Sequence, residues 1–388
     1  MRERELLMIP GPIEFDPSVL RAMSRPTLSH LSAEFVELFG TVLERLRQVF
    51  LADDGQPFVI AGSGTLAMDI AAANLIEPGD RVVVVDTGYF SARFTSICRR
   101  YGAEVVTVDA EIGHAPSIER IAHALEETRP KLVIITQVDT ATGVAVDIKA
   151  LAALAREHDA LSIVDGVCAT GGAEFRQTGW DVDVCVTASQ KALGVPPGLA
   201  LVMMRPRALQ AWEARTTPVT NYYADLDNWL PIMQAYEARR PSYFGTPPVN
   251  LIYALHASLE LILNEGMEAR FQRHRIVARA FQAGMEAIGL RQLPASPELR
   301  APTMSAVYYP EGVDSGLLAK IREEGVVVAG GLLPRIAGEY FRVGHMGEVS
   351  ASDILATVGA IERALHDVEY EFREGAGLEA AQRVLERL

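Results

Sequence analysis

The chain has 388 residues, of which 49% are hydrophobic, and this supplies enough apolar side chain for a large buried core. Its 36 basic and 50 acidic residues give a net charge of −14 without any basic block, which argues against nucleic acid or an anionic membrane as the main partner. A small molecule is therefore the expected ligand.

The cysteines and the N-terminus bear on the cellular compartment. Cys98, Cys168 and Cys185 are widely spaced and odd in number, so they suggest neither a disulfide framework nor a metal cluster. The first seven residues carry four charges and no apolar region follows them, and no uncharged apolar run approaches the roughly 18 residues of a membrane span. We expect a cytoplasmic protein without a membrane anchor.

The first half of the chain alternates between apolar runs of strand length and segments of helical period. Strands are predicted at Phe58–Ile60, Val82–Val85, Val105–Val108, Leu132–Thr136, Leu161–Val164, Val184–Thr187 and Leu199–Met203, and helices at Leu66–Ile76, Ala92–Tyr101, Ser117–Thr128 and Ile148–His158. This α/β alternation predicts a mostly parallel, seven-stranded sheet covered on both faces. Ligands of such sheets bind beyond the carboxyl ends of the strands.

The second half has a different pattern. Two long helical segments, Val249–Leu263 and Glu268–Ile288, are divided by Asn264-Glu265-Gly266. From Pro302 onward short strands mix with helices, which predicts a smaller α+β domain, and a surface helix is predicted at Leu378–Leu388. We therefore expect an N-terminal segment (1–20), a large domain (21–265) and a small C-terminal domain (266–388), with the interdomain helical stretch at about 249–288.

The turn after the first predicted strand can bind an anion. It reads Ala61-Gly62-Ser63-Gly64-Thr65 and leads into a helix, so free main-chain N–H groups and the helix dipole can hold a phosphate. Taken alone, an ordinary N-capped turn is the commoner structure for such a sequence. The absence of a Walker lysine and of a Gly-x-Gly-x-x-Gly pattern argues against a nucleoside triphosphate and against a dinucleotide-dependent dehydrogenase.

Lysine is scarce in this chain, which has only Lys131, Lys149, Lys191 and Lys320. A covalent lysine chemistry needs an amine that can lose its proton, which arginine cannot do. Lys191 alone lies between an apolar strand and a Gly/Pro-rich loop, and no other charged residue occurs from Gln190 to Met204. Such surroundings lower a lysine pKa. The alternative, a lysine at a strand end with its head in water, is about equally common.

Other polar and aromatic residues follow neighbouring strands. Asp165 follows the predicted strand Leu161–Val164, Thr140 and Thr142 follow Leu132–Thr136, and Phe90 occurs in Thr87-Gly88-Tyr89-Phe90. Asp165 can pair with a cationic nitrogen of a ligand or cap the turn through Gly166. An anion cradle, an aromatic face, an acid and a lysine of low pKa together match the phosphate, ring, ring nitrogen and aldehyde of pyridoxal phosphate (PLP).

These motifs resemble the class V aminotransferases of the alanine–glyoxylate and serine–pyruvate group, which are fold-type I PLP enzymes. The resemblance runs from Ile9-Pro10-Gly11-Pro12 to Arg342, and its most specific parts are Gly62-Ser63-Gly64, Val164-Asp165-Gly166, Ser189-Gln190-Lys191-Ala192 and Pro196-Pro197-Gly198. It implies that Lys191 forms a Schiff base with the cofactor and that Asp165 keeps the pyridine nitrogen protonated. Both would be catalytic residues.

The resemblance also implies the rest of the site. The implied cofactor contacts are Ser63, Gly64, Thr65 and Gln190 at the phosphate, Phe90 stacked on the ring, Thr140 at the ring oxygen, and Tyr243 and Thr246 reaching the phosphate from the neighbouring subunit of a homodimer with shared sites. Arg342 would bind the substrate carboxylate, with Gly11 on the substrate side, and a planar guanidinium suits that bidentate task. No metal is implied.

Several positions depart from the family pattern. Thr65 stands where many relatives carry histidine, Gly166 and Ala169 replace serines of animal relatives, and Phe244-Gly245 replaces a His-His pair. Because these residues belong to the substrate side, they leave the amino-acid specificity open and the cofactor assignment unchanged.

The expected reaction is a ping-pong transamination in which alanine, serine or glycine donates its amino group to glyoxylate or pyruvate. (S)-Ureidoglycine–glyoxylate transamination is the alternative. A cysteine desulfurase is disfavoured because no cysteine follows Cys185. A cofactor-binding subunit without turnover is disfavoured by the complete set of Lys191, Asp165 and Arg342.

Overall fold

A computed structural model describes residues 5–386. In chain order the strands and α-helices are β1 (Leu6–Leu7), α1 (Pro17–Met23), α2 (Ala33–Phe50), β2 (Gln56–Ala61), α3 (Gly64–Leu75), β3 (Arg81–Val85), α4 (Tyr89–Arg100), β4 (Glu104–Val108), α5 (Ile118–Thr128), β5 (Leu132–Thr136), α6 (Ile148–Glu157), β6 (Leu161–Asp165), β7 (Val184–Ala188), β8 (Leu199–Met204), α7 (Pro206–Glu213), α8 (Leu226–Glu237), α9 (Val249–Glu265), α10 (Met267–Ala287), β9 (Met304–Tyr308), α11 (Leu317–Glu323), β10 (Val326–Val327), β11 (Ala329–Gly330), β12 (Tyr340–Gly344), α12 (Ala351–Asp367) and α13 (Ala376–Leu385).

The central sheet has seven strands in the order β2-β8-β7-β6-β5-β3-β4. Only β8 runs opposite to its neighbours; the other strands share one direction. This confirms the predicted mostly parallel, seven-stranded sheet. Strands β5 to β8 are buried at every position, as expected for strands covered on both faces.

The chain order reverses between β3 and β5, which are neighbours in the sheet. From β3 the chain continues outward to β4, whereas from β5 it continues the other way through β6 to β7. A crevice therefore opens beyond the carboxyl ends of these strands, where doubly wound sheets bind their ligands. The loops that follow β3, β5, β6 and β7 border this crevice.

A second, three-stranded antiparallel sheet has the order β11-β12-β9. The N-terminal segment is attached to this part of the molecule because β1 pairs in parallel with β10. One apolar core covers the central sheet, and another lies between α10, α12 and the small sheet. The domain boundaries given above stay a prediction. Within residues 5–386, no helix combines the length and the apolar character needed to cross a bilayer.

The long helical region consists of two helices, because the chain breaks between α9 and α10 at Gly266, whose φ is +83°. A left-handed φ ends a helix at little cost only when the residue is glycine. The predicted C-terminal helix is α13, and the last two residues of that prediction lie outside the described residues.

Candidate active site

Lys191 lies in the loop after β7, at the carboxyl edge of the sheet. Only 7% of the residue is exposed, and its Nζ donates a hydrogen bond to the carbonyl of Pro10. Burial lowers the pKa of this amine. The structure therefore favours a buried lysine of low pKa over the alternative of a lysine with its head in water.

The other three lysines have ordinary surface environments. Lys131 Nζ is 2.6 Å from an Asp80 carboxylate oxygen, and Lys320 Nζ is 2.9 Å from Glu323. Lys149 is exposed on α6. Lys191 is thus the one lysine that the fold places at the ligand edge of the sheet.

Asp165 is the last residue of β6 and is 2% exposed. Its Oδ1 accepts a hydrogen bond of 3.0 Å from the N–H of Val167, so it does support the turn, as the alternative supposed. That is its only observed side-chain hydrogen bond within residues 5–386. Burial raises the pKa of Asp165 to about 7, and the nearby charge of Lys191 opposes this shift. A buried carboxylate in this position suits a cationic N–H partner.

The predicted anion cradle is the start of α3. Ser63 is the N-cap, and its side chain makes no capping hydrogen bond to the described residues. Gly64, the first helical residue, is packed so tightly that a Cβ there would lie 2.9 Å from Val167. The exposed Ser63 side chain and the first-turn N–H groups of α3 are arranged to hold an anion.

Phe90 is the second residue of α4, which begins three residues earlier than predicted. The guanidinium carbon of Arg93, one turn further on, lies 4.7 Å from the centroid of the Phe90 ring. Arg93 also donates a 3.0 Å hydrogen bond to the hydroxyl of Thr65. Arg93 therefore connects the aromatic residue with the helix that forms the cradle.

Arg342 lies on β12 of the small sheet and reaches the loop after β5. Its Nε donates to the carbonyl of Gly330 at 2.8 Å, and its Nη1 donates to the carbonyl of Thr140 at 3.0 Å. The positive charge of Arg342 lowers the pKa of Lys191. The structure thus brings Arg342, Thr140 and Lys191 together, although they are far apart in the sequence.

Gln190 and Gly11 flank Lys191. The Gln190 Oε1 is buried and has no hydrogen-bond partner in the part of the chain that the structure describes. Gly11 has a φ of +90°, and a Cβ there would lie 2.5 Å from Lys191 Cδ. The close approach of the N-terminal segment to Lys191 therefore requires glycine at position 11.

Tyr243 and Thr246 lie on the segment between α8 and α9, and both are exposed. The Tyr243 ring is 5.2 Å from that of His30, with 60% of the residue accessible. The observed contacts of Tyr243 and Thr246 among the described residues do not include Lys191 or the cradle. Their predicted role in the site of a neighbouring subunit stays a prediction.

Asp139, which is not among the residues predicted from the sequence, is completely buried beside the site. Its Oδ2 accepts a 2.8 Å hydrogen bond from the N–H of Phe90, and its charge acts on both Asp165 and Lys191. The available signal was its position: it is an acid three residues after a buried strand at the ligand edge. Arg93 was missed as well, because a basic residue on a helix is usually solvated.

The side chains fit PLP on three independent observations. Asp165 is a buried carboxylate that makes no ion pair within residues 5–386, the start of α3 offers the exposed Ser63 side chain and first-turn N–H groups to an anion, and Lys191 is a desolvated amine. They match the ring nitrogen, phosphate and aldehyde of the cofactor, respectively.

Residues 18–343 match the family model described as Aminotransferase class-V. The chain belongs to the class V aminotransferases. It is 38% identical to alanine–glyoxylate aminotransferase 1 of Saccharomyces cerevisiae, covering 88% of this chain and 92% of that one. It is 34% identical to L-aspartate–glyoxylate aminotransferase of Paracoccus denitrificans, with coverage of 98% and 96%.

The crystal structure of ureidoglycine–glyoxylate aminotransferase from Bacillus subtilis superposes on this aminotransferase with a TM-score of 0.91. The two sequences are 31% identical, and the match covers 100% of this chain and 99% of the other. These matches confirm the predicted fold-type I architecture and aminotransferase activity. The cofactor of the aminotransferase is pyridoxal 5'-phosphate. The roles of individual residues remain predictions.

Proposed function

We propose that this aminotransferase moves the amino group of a small amino acid (alanine, serine or glycine) to glyoxylate or pyruvate in two half-reactions. The observation that carries the proposal is the convergence of Lys191, Asp165 and Arg342 at one edge of the sheet. These three residues supply the amine, the carboxylate and the guanidinium that transamination of an α-amino acid needs.

PLP, when bound, supplies an aldehyde that accepts the amino group and a ring that withdraws electrons. Asp165 would pair with the ring nitrogen, which would compensate the cost of burying its carboxylate. Phe90 would stack on the ring, Thr140 would bind the ring oxygen, and the residues that would hold the phosphate are Ser63, Gly64, Thr65 and Gln190. None of these contacts moves a proton on the substrate.

Lys191 moves the proton. Because burial lowers its pKa, a larger fraction of this amine is unprotonated than of a surface lysine at the same pH. Acting as a base, Lys191 removes the α-proton of the donor. Acting then as an acid, it returns this proton to the carbon on the other side of the transferred nitrogen. In the second half-reaction the order is reversed with the keto acid.

Arg342 fixes the substrate carboxylate, with Gly11 beside it. Two of its nitrogens are already bound to main-chain carbonyls, so the plane of the guanidinium is set before the substrate arrives. Pre-organisation of this kind lowers the cost of binding a carboxylate in the reactive orientation.

The proposed assembly is a homodimer in which Tyr243 and Thr246 complete the partner's phosphate site. Their exposure in the single chain supports this, since both side chains are accessible for such contacts. We place the enzyme in the cytoplasm, in keeping with three cysteines that are all free and buried.

A second candidate donor is (S)-ureidoglycine. It is favoured by the superposition, over the whole chain, with the Bacillus subtilis enzyme named for that substrate. The two candidate reactions depend on the same cofactor-binding residues. They differ in the residues that must surround the side chain of the donor.

A matrix of amino donors and keto acceptors, measured on purified holoenzyme, separates these functions. We expect activity with alanine, serine or glycine, and parallel double-reciprocal plots, which indicate a ping-pong mechanism. The highest kcat/KM with ureidoglycine would select the alternative.

Lys191→Ala should abolish turnover and the visible absorbance of bound PLP, whereas Lys149→Ala serves as the surface control. Turnover in Lys191→Ala would overturn the assignment, and a protein that binds PLP without converting any pair would be a non-catalytic subunit.

A further inference from the structure

The turn after β5 connects the two halves of the site. It consists of residues 139–143, and its first residue, Asp139, is fully buried. The main chain closes the turn, with Gly143 N–H donating to the Asp139 carbonyl at 2.8 Å and Asp139 N–H donating to Val144 at 3.0 Å. The turn is therefore a compact unit closed by its own main-chain hydrogen bonds.

On the large-domain side, the Asp139 carboxylate holds the start of α4. Its Oδ2 accepts the N–H of Phe90 at 2.8 Å, while its Oδ1 accepts the N–H of Ala141 within the turn, also at 2.8 Å. A Cβ on Gly88 would lie 2.7 Å from the carboxyl carbon, so glycine at position 88 is what lets the acid approach the helix. The two oxygens thus tie Phe90 to the turn.

On the small-domain side, two residues of β12 hold the same turn. Arg342 Nη1 donates to the carbonyl of Thr140 at 3.0 Å, and the Tyr340 hydroxyl donates to the carbonyl of Ala141 at 2.7 Å. The same hydroxyl accepts the N–H groups of Leu332 and Leu333, both at 2.9 Å. The position of the turn therefore bears directly on the position of the substrate-binding guanidinium.

We infer that Asp139 is a positioning residue. It fixes both the position of Phe90, proposed to stack on the cofactor ring, and the position of the Arg342 guanidinium, proposed to bind the substrate carboxylate. The inference rests on the proposed roles of these two residues. Asp139 is completely buried and, in this inference, acts through the turn and the start of α4 rather than by contact with a ligand.

A carboxylate suits this task better than a neutral side chain. The observed hydrogen bonds to the Asp139 carboxylate within residues 5–386 all come from main-chain N–H groups. Two acceptor oxygens are needed because the donors lie on two different segments, the turn and the start of α4, and charge-assisted hydrogen bonds are stronger than neutral ones. Asparagine has the same shape but only one acceptor oxygen, so the bonds to one of the two segments must be lost.

The test compares Asp139→Asn with Asp86→Asn. Asp86 is the matched control because its carboxylate also serves the start of α4, accepting from Gly88 N–H at 3.0 Å and from Ser91 Oγ at 2.5 Å. It has no observed bond to the turn among the described residues. If Asp139 only capped α4, as Asp86 does, the two variants would differ from wild type in the same way, through their stability.

We expect Asp139→Asn to raise the dissociation constant of PLP about tenfold or more, and the KM for the best amino donor by a similar factor. Asp86→Asn should lower the thermal midpoint and leave both constants near their wild-type values. The PLP constant is measured by equilibrium dialysis of apoprotein without any substrate, so this result is independent of which donor the enzyme uses.

Tyr340→Phe separates the two sides of the turn. It removes the bond to Ala141, together with those from the N–H groups of Leu332 and Leu333, and leaves the bond between Asp139 and Phe90 in place, so the KM should rise while the PLP constant stays unchanged. Equal effects of Asp139→Asn and Asp86→Asn on both constants would overturn the inference. If Asp139→Asn does not fold, Tyr340→Phe decides, and an unchanged KM in that variant would reject it.

Discussion

Gly11 lies directly against the aliphatic part of Lys191. A Cβ at position 11 would come within 2.5 Å of Lys191 Cδ and 2.9 Å of Cε, and Gly11 has a φ of +90°. The preceding carbonyl, that of Pro10, accepts the hydrogen bond from Lys191 Nζ. The N-terminal segment therefore forms one wall around the amine.

This contact predicts that Gly11→Ala damages the site more than the fold. The positive φ costs about 1–2 kcal/mol of stability once a Cβ is present, and the new methyl group must also displace Lys191. Gly79→Ala is the matched control, since Gly79 has a φ of +89° and no atom within 4 Å of an added Cβ.

Both glycine variants should show a similar loss of thermal stability. Only Gly11→Ala should lose kcat and visible cofactor absorbance, by roughly tenfold or more if the amine is displaced by about 1 Å. Equal kcat in the two variants would mean that the wall at Gly11 is not needed for catalysis.

The fold was largely predictable because its signals are local. Each of the seven strands of the central sheet was located to within two residues, since buried parallel strands are continuous apolar runs. The helices α1, α2, α7 and α8 were not predicted. Helix α8 contains Pro231, and proline usually marks a helix boundary.

The site was predictable where a strand end decides the position, as for Asp165 and Lys191. It was not predictable where a contact joins distant segments. The bond from Lys191 to Pro10 spans 181 residues, and that from Arg342 to Thr140 spans 202. Asp139 was missed for the same reason, because its partner Phe90 is 49 residues away and a loop acid is more often solvated.

Asp165 predicts a pH-dependent stability in the cofactor-free protein. Burial raises the pKa of Asp165 in the folded chain to about 7, above the 3.8 usual for a free aspartate, so between these pH values the folded state binds more protons than the unfolded state. Stability therefore falls as the pH rises from about 4 to 7, by an amount on the order of 3 kcal/mol for this group.

Asp165→Asn should remove this contribution. Denaturant unfolding of apoprotein at pH 5 and pH 8 is expected to show a smaller difference for the variant than for wild type. The variant should still bind PLP yet transaminate at least about tenfold more slowly, because the ring nitrogen loses its anionic partner. An unchanged pH dependence together with normal turnover would leave Asp165 only its turn contact with Val167.

The proposed homodimer predicts complementation between inactive variants. Lys191→Ala lacks the reactive amine, and the double variant Tyr243→Ala with Thr246→Ala lacks the groups offered to the partner. In a mixed dimer, one site combines an intact Lys191 with intact partner residues. Refolding the two variants together should restore roughly a quarter of wild-type activity, since half of the dimers are mixed and one site in two is complete.

Each variant refolded alone is the control for this experiment. If Tyr243 and Thr246 serve the site of their own chain, mixing restores nothing. Sedimentation of wild type at the assay concentration provides the second check, and a fully active monomer would contradict shared sites.

The donor preference follows from the charges around the site. Arg342 provides for one carboxylate, and an unpaired second carboxylate in a buried site costs several kcal/mol, about 2–4 by analogy with other unpaired buried polar groups. Two further arginines, Arg93 and Arg335, line a cavity of about 590 Å³ beside Tyr89, and its lining residues do not include Lys191. The guanidinium of Arg93 is already engaged by Phe90 and Thr65.

Alanine, serine and glycine should therefore surpass aspartate and glutamate in kcat/KM by about 30-fold or more, the factor that roughly 2 kcal/mol represents. The measurement is a set of initial rates with glyoxylate as the common acceptor. The relative from Paracoccus denitrificans is named for aspartate, which makes this comparison decisive for the small-substrate proposal.

A higher kcat/KM for aspartate than for the small amino acids would show that a second cation reaches the distal carboxylate of the donor. Arg93→Met would then identify it: loss of aspartate activity with retention of alanine activity would assign the distal carboxylate to Arg93, and unchanged selectivity would direct attention to Arg335.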